Sequence, residues 1–156
     1  MTIKFTKLTP DVPTPRRAHP TDAGVDLTAS TVENDGLTHR NWDSANIAPH
    51  NSMMIGTGIA VSIPTGHVGL LFVRSSLGVR LGLTPANAVG VIDSDYRGEV
   101  KVCLRNASLI TAQIRKDERI CQLVVVPVDT SDWEQVNTLE ATERGSGGFG
   151  STGTAP

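Results

Sequence analysis

Residues 59–73 read Ile59-Ala60-Val61-Ser62-Ile63-Pro64-Thr65-Gly66-His67-Val68-Gly69-Leu70-Leu71-Phe72-Val73. In the first part Ile59, Val61 and Ile63 alternate with Ala60 and Ser62, the period of two that turns one face of a strand toward a core. Pro64-Thr65-Gly66 interrupts the run with turn residues, and 68–73 resumes as a second apolar strand. The pattern recurs downstream. Val100, Val102 and Leu104 alternate with Lys101 and Cys103, and Asp93-Ser94-Asp95, Asn106-Ala107-Ser108 and Lys116-Asp117-Glu118 supply turns between the runs. Residues 120–126 are almost continuously apolar, as expected of a strand covered on both faces. Short strands at regular spacing predict an all-β sandwich or barrel. One short helix is expected near 84–88, with Thr84 as cap and Pro85 at its first position.

The chain has 156 residues, enough for one domain with a sizeable core, and only 4% of them are aromatic, so that core must come from Val, Ile and Leu. A net charge of −2 gives no electrostatic reason to expect a nucleic-acid or membrane partner. An anionic ligand must therefore be held by a few local cations and backbone amides. No apolar run approaches the roughly 20 residues of a membrane span, and residues 1–10 lack the layout of a secretory signal. Cys103 and Cys121 each sit within an apolar strand-like run. Disulfide, metal and nucleophile roles are open to them, and two buried thiols in a cytoplasmic protein is the plainest reading.

Two stretches depart from the pattern. Residues 33–46 are polar and contain Asn34-Asp35-Gly36 and His39-Arg40-Asn41, which reads as a surface loop or extended hairpin. As an insert, it should be removable without loss of activity. Residues 144–156 hold almost nothing for a core, and five of the ten positions in 144–153 are Gly. Such a tail is disordered by itself, because ordering glycine costs the most backbone entropy. Its arginine, phenylalanine and hydroxyls also suit a strap that closes over a phosphorylated ligand. The expected organisation is a β-domain over 1–143 and an arm over 144–156.

Three segments carry chemistry-bearing side chains. Arg74-Ser75-Ser76 follows an apolar strand and reads either as a phosphate cradle or as a plain strand end. Gly90-Val91-Ile92-Asp93-Ser94-Asp95-Tyr96-Arg97-Gly98 resembles a β-hairpin tip with two acids. Asp93 suits a general base beside a water, and Asp95 suits a turn cap. Asp26, within Ala23-Gly24-Val25-Asp26-Leu27, is a lone acid among apolar residues. If buried, it needs an arginine or a metal-bound water beside it; a solvent-facing strand position is the other reading.

In order, five segments resemble the five motifs of the homotrimeric dUTPases. They are Ala23-Gly24-Val25-Asp26-Leu27, Arg74-Ser75-Ser76-Leu77-Gly78, 87–98 centred on Gly90-Val91-Ile92-Asp93-Ser94-Asp95-Tyr96, Arg119-Ile120-Cys121-Gln122-Leu123, and Arg144-Gly145-Ser146-Gly147-Gly148-Phe149-Gly150-Ser151-Thr152-Gly153. The resemblance implies a jelly-roll-like β-barrel, assembled as a trimer whose three sites lie between subunits, with the glycine-rich tail arriving from a neighbour. It implies hydrolysis of dUTP to dUMP and pyrophosphate with Mg2+, which limits uracil incorporation into DNA and supplies dUMP for dTMP synthesis.

The resemblance also assigns roles by position. Asp93 matches the base that activates water, and Asp26 the acid that contacts hydrated magnesium. Arg74, Ser75, Ser76 and Gln122 match phosphate-site residues. Asn87 with the backbone of Gly90, Val91 and Ile92 matches the uracil reader, and Tyr96 the ring under the deoxyribose. Phe149 matches the ring stacked on uracil, while Arg144, Gly150, Ser151 and Thr152 belong to the strap, with Arg144, Ser151 and Thr152 on the γ-phosphate. One departure is Ser76, where many members of the family carry glycine. Two rivals remain to be weighed. A dCTP deaminase shares the fold, but its catalytic glutamate would fall at Cys103. A nucleotide-responsive binding or signalling module would use residues 33–46 as its partner surface, and the complete catalytic set argues against lost activity.

Overall fold

A computed structural model describes residues 2–34 and 36–148. Twelve strands and one short helix follow in the order β1 (Lys4–Lys7), β2 (Val25–Thr28), β3 (Thr31–Asn34), β4 (Leu37–His39), β5 (Ser44–Ile47), β6 (Ser52–Ser62), β7 (His67–Val73), α1 (Ser75–Leu81), β8 (Leu83–Pro85), β9 (Gly90–Ile92), β10 (Glu99–Asn106), β11 (Ala112–Arg115) and β12 (Arg119–Pro127). One antiparallel sheet has the order β4-β3-β6-β10-β8, with β1 also on β6. A second runs β2-β12-β7-β9, and β11 pairs with β5. The fold is thus the expected all-β, jelly-roll-like barrel.

The core lies between the sheets. Ile55, Ile59, Val61, Val100, Val102 and Leu104 enter it from the first sheet and Leu27, Leu71 and Leu123 from the second. The period of two is clearest in β10, where Val100, Val102 and Leu104 are buried while Lys101 is exposed. Burying an aliphatic side chain of this size contributes about 1.5–3 kcal/mol. The second sheet also has an apolar outer face. Val68, Leu70 and Phe72 lie opposite Val126, Val124 and Gln122, and Leu70 lies opposite Val91. Phe72 and Val91 on this face are 37% and 60% exposed.

The helix forms on other residues than the sequence suggested. Residues 83–85 are β8, in which Leu83 and Pro85 are buried and Thr84 is exposed. Pro85 lies opposite Leu104 at the end of the sheet, where a missing N–H interrupts no ladder. Helix α1 instead starts after Arg74 (φ −65°, ψ 138°) and stops at Gly82, which is left-handed at φ 64°. A Cβ there would approach Ser108 Cβ to 2.9 Å, so glycine both ends the helix and lets the next turn close. Seven residues with Gly78 among them offer too little of a 3.6-residue period to be read in advance.

Residues 33–46 are largely strand rather than free loop. They comprise the end of β3, the exposed β4 and most of β5, which pairs with β11 and leads into the fully buried Ile47. Trp42 packs on the core and donates Nε1–H to the Ser30 carbonyl at 3.0 Å. Only the hairpin half of the expectation describes them. Cys103 and Cys121 are free thiols, the first half-buried and the second buried. After Pro127 the described chain has no further strand, and residues 127–146 are exposed.

Candidate active site

Asp26 is 4% exposed and anchors a compact polar cluster. Its Oδ2 accepts a hydrogen bond from Arg119 at 2.9 Å. Its Oδ1 accepts one from Gln122 Nε2 at 3.0 Å and lies 3.3 Å from Arg74 Nε. A buried carboxylate is tolerated only when its charge is compensated, and here two arginines meet the charge while Arg119 and Gln122 each donate one hydrogen bond. Of the two sequence readings for Asp26, the structure selects burial with arginine partners. Gly24 makes room for the amide: a Cβ there would come within 3.1 Å of Gln122 Cβ.

Arg119 lies in a quoted motif, yet its role was missed. In a regular strand, residues 119 and 122 point to opposite faces. Here the register against β2 slips between Arg119 and Cys121, so Ile120 and Cys121 are both buried and Arg119 and Gln122 both reach Asp26. A β-bulge of this kind re-aims a side chain, and no sequence periodicity announces it. Burial, and secondarily the Asp26 charge, push the Cys121 thiol up to about 12.

Arg74 belongs to both the cluster and α1. Its amide donates to the Ile120 carbonyl at 3.1 Å, and its own carbonyl accepts from Leu77 and Gly78. The N–H groups of Ser75 and Ser76, at the first two positions of the helix, have no intrahelical acceptor. Ser76 is not among the residues with positive φ, so serine is as acceptable there as glycine.

The segment with Asp93 is arranged differently from a hairpin. Strand β9 pairs with β7 in one sheet, whereas β10 pairs with β6 and β8 in the other. Residues 93–98 therefore form a turn that crosses between sheets, closed by Tyr96 N–H donating to the Asp93 carbonyl at 3.2 Å. Gly69 on β7 is closely covered by Ile63, Leu123 and its pairing partner Ile92, and a Cβ there would come within 2.6 Å of Ile63 Cδ1. Asp93 is exposed, and among the described residues no side chain pairs with its carboxylate. Asn87 is exposed in the turn before β9, where Val89 N–H donates to its carbonyl at 2.7 Å.

One chain does not bring these two groups together. Ile92 lies opposite Gly69, and the antiparallel β9 carries Asp93 beyond it, away from Arg74. Arg74 is five steps along the chain from Gly69, about 16 Å at roughly 3.3 Å per step. Both groups flank the apolar outer face of the second sheet, since Asp26 lies beside Gln122 and Phe72 in register. Arg144 is exposed and donates Nε–H to the Gly147 carbonyl at 2.9 Å, apart from the Asp26 cluster. Phe149, Gly150, Ser151 and Thr152 lie outside the described residues.

The family model for dUTPase matches residues 11–153. The chain belongs to the dUTPase family. It is 44% identical over 154 residues to deoxyuridine 5'-triphosphate nucleotidohydrolase of Rhodococcus erythropolis, covering 98% of this chain and 87% of the relative. It is 46% identical to the enzyme of the same name from Corynebacterium glutamicum, covering 97% and 94%. Among solved structures, a mutant dUTPase of Staphylococcus bacteriophage 80alpha with dUpNHpp superposes with a TM-score of 0.83 at 30% identity, covering 98% and 99%. A mutant dUTPase from phage phi11 of S. aureus, described with a structural Mg(II) ion, gives 0.76 at 26% identity over 90% of this chain and all of the other. The family's activity is the hydrolysis of dUTP. Among the described residues no helix is long and apolar enough to cross a membrane.

Proposed function

We propose that this chain hydrolyses dUTP to dUMP and pyrophosphate at sites completed by neighbouring subunits of a homotrimer. The observation that carries this reading is the separation of Asp93 from Arg74 along β7, with an exposed apolar face between the two groups. A second copy packed on that face covers Phe72 and Val91 and presents its own turn to the first copy's phosphate cluster. Oligomers of identical chains commonly close in this symmetric way.

In this reading Arg74, the Ser75 and Ser76 hydroxyls and amides, and Gln122 hold the triphosphate. Arg119 and Asp26 fix Arg74 in place, so the guanidinium is oriented before substrate arrives. Asp93 accepts a proton from water as the water attacks the α-phosphorus in line and pyrophosphate leaves. Its exposed carboxylate, unpaired among the described residues, is free to face a water. Asn87 with the Gly90, Val91 and Ile92 backbone reads the uracil edge, and Tyr96 lies under the deoxyribose. Phe149, Gly150, Ser151 and Thr152, with Arg144, close over the nucleotide from a neighbour and expel water.

Among the described residues no three His, Cys, Asp or Glu side chains converge on a metal position. That donor set suits Mg2+ held chiefly by the triphosphate and water. Asp26 Oδ2 accepts one protein hydrogen bond and retains a lone pair for a metal-bound water. Bound there, the ion would neutralise phosphate charge. Two free thiols agree with a cytoplasmic location.

Product analysis with dUTP, dCTP, dTTP and UTP tests the reaction: dUMP and pyrophosphate from dUTP alone are expected, whereas deamination of dCTP would refute it. Complementation tests the shared site. Asp93→Asn and Arg74→Ala should each bind or turn over poorly alone, yet co-refolded mixtures should regain a fraction of wild-type turnover. Mixed oligomers with no recovery would show that one chain supplies both groups.

A further inference from the structure

The turn that carries Asp93 and Tyr96 has no ladder of its own, so something beyond strand pairing must hold it. Tyr96 is 43% exposed, and its ring folds back over Gly98. A Cβ on Gly98 would lie 2.6 Å from Tyr96 Cζ, so only glycine permits the position. The phenol then donates to the main-chain carbonyl of Glu99 at 2.9 Å. The location of the ring is therefore set by the location of the Glu99 backbone.

Glu99 stands where β10 joins β6, at an irregular step: Glu99 pairs with Ala60 but Lys101 pairs with Gly56. Its side chain bridges the irregularity. Oε1 accepts the N–H of Gly58, a residue at φ 66°, at 2.7 Å. The carboxyl lies over the bare Gly56, where a Cβ would come within 2.8 Å of Glu99 Cδ. Only 15% of the side chain is exposed, and Lys101 Nζ stands 4.0 Å from Oε2. A carboxylate accepting a backbone N–H in such a setting makes a charge-assisted bond, stronger than a neutral one.

We propose that Glu99 is a positioning residue for sugar discrimination: its carboxylate, fixed on the Gly58 amide, holds the carbonyl that holds the Tyr96 phenol. The inference rests on Tyr96 packing under the deoxyribose, and extends it to a residue that does not touch the nucleotide. A tightly held ring leaves no room for a ribose 2′-hydroxyl, whereas a ring free to move does.

The test is the ratio of kcat/KM for dUTP to that for UTP, together with oligomeric state and melting temperature. Glu99→Ala and Tyr96→Phe should each lower the ratio by about fivefold to tenfold, the scale of one hydrogen bond. The double variant should be no worse than either single variant, because both break the same chain of contacts. Glu99→Gln should stay within about twofold of wild type, since the amide oxygen still accepts the Gly58 N–H. If Glu99→Ala fails to fold, Glu99→Asp serves, keeping the charge but falling one methylene short. An unchanged ratio in Glu99→Ala, or in Glu99→Asp where it replaces the alanine variant, beside a lowered one in Tyr96→Phe would overturn the inference and leave the sugar reading standing. Additive losses in the double variant would also overturn it. A ratio unchanged even in Tyr96→Ala would remove the sugar reading itself, and the role of Glu99 with it.

Discussion

Arg119 and Cys121 are neighbours across one bulge, and each leads to a prediction. Arg119 is 39% exposed in its side chain, so solvent screens part of its pairing with Asp26. Replacing it by alanine should cost about 1–2 kcal/mol, because Arg74 and Gln122 still serve the carboxylate. Urea unfolding at fixed protein concentration measures this, and an unchanged midpoint would mean that the pair contributes nothing. Cys121 is held neutral in the fold, its thiol raised from an ordinary 9.0 to about 12. The unfolded thiol loses its proton first. Stability should therefore be unaffected by this group below about pH 9 and decline as pH rises from there toward 12. Native protein treated with iodoacetamide at pH 8 should be alkylated at Cys103 well before Cys121. Equal rates at the two thiols would contradict the burial.

Among the elements, the β3–β4 hairpin and β5 behave as different kinds of structure. Strand β4 is exposed along its length, and removing 36–40 should change stability by less than about 1 kcal/mol. Removing 33–46 would take Trp42 from the core and end the β5–β11 pairing, and should prevent stable folding. Glu33 would go as well, and with it the ion pair to Lys101 on β10. Thermal melts of the two deletions decide this, and a cooperative, wild-type-like melt for the longer deletion would show Trp42 and β5 to be dispensable. A polar composition concealed this because most side chains of 33–46 do face solvent. Trp42 bonds to Ser30 and Ile47 pairs with Ala112, neither a sequence neighbour, so their burial is invisible locally.

For the whole molecule, the chain beyond Thr142 contributes no described contact to the barrel core, so truncation there should leave folding and assembly intact. Turnover should fall by about a hundredfold or more, because closure over the nucleotide is lost. Wild-type turnover in a truncated, correctly assembled protein would refute the strap. Much of this design is legible in the sequence. The period of two in 59–63 and 100–104 announced strands, and in 100–104 their buried face, because alternation along an extended chain is a local property; in β6 Ala60 is buried as well. Ordered motifs pointed to Asp26, Arg74 and Gln122, which the structure gathers into one cluster, and to Asp93, which it places in a separate turn. Tertiary structure alone decided the rest. The bulge after Arg119 brought that arginine to Asp26, and the choice of β7 by β9 made residues 93–98 a crossing between sheets. It also set Asp93 and Arg74 at opposite ends of one strand. Each depends on which distant strand pairs with which and in what register, and pairing energy is gained only between segments remote in sequence.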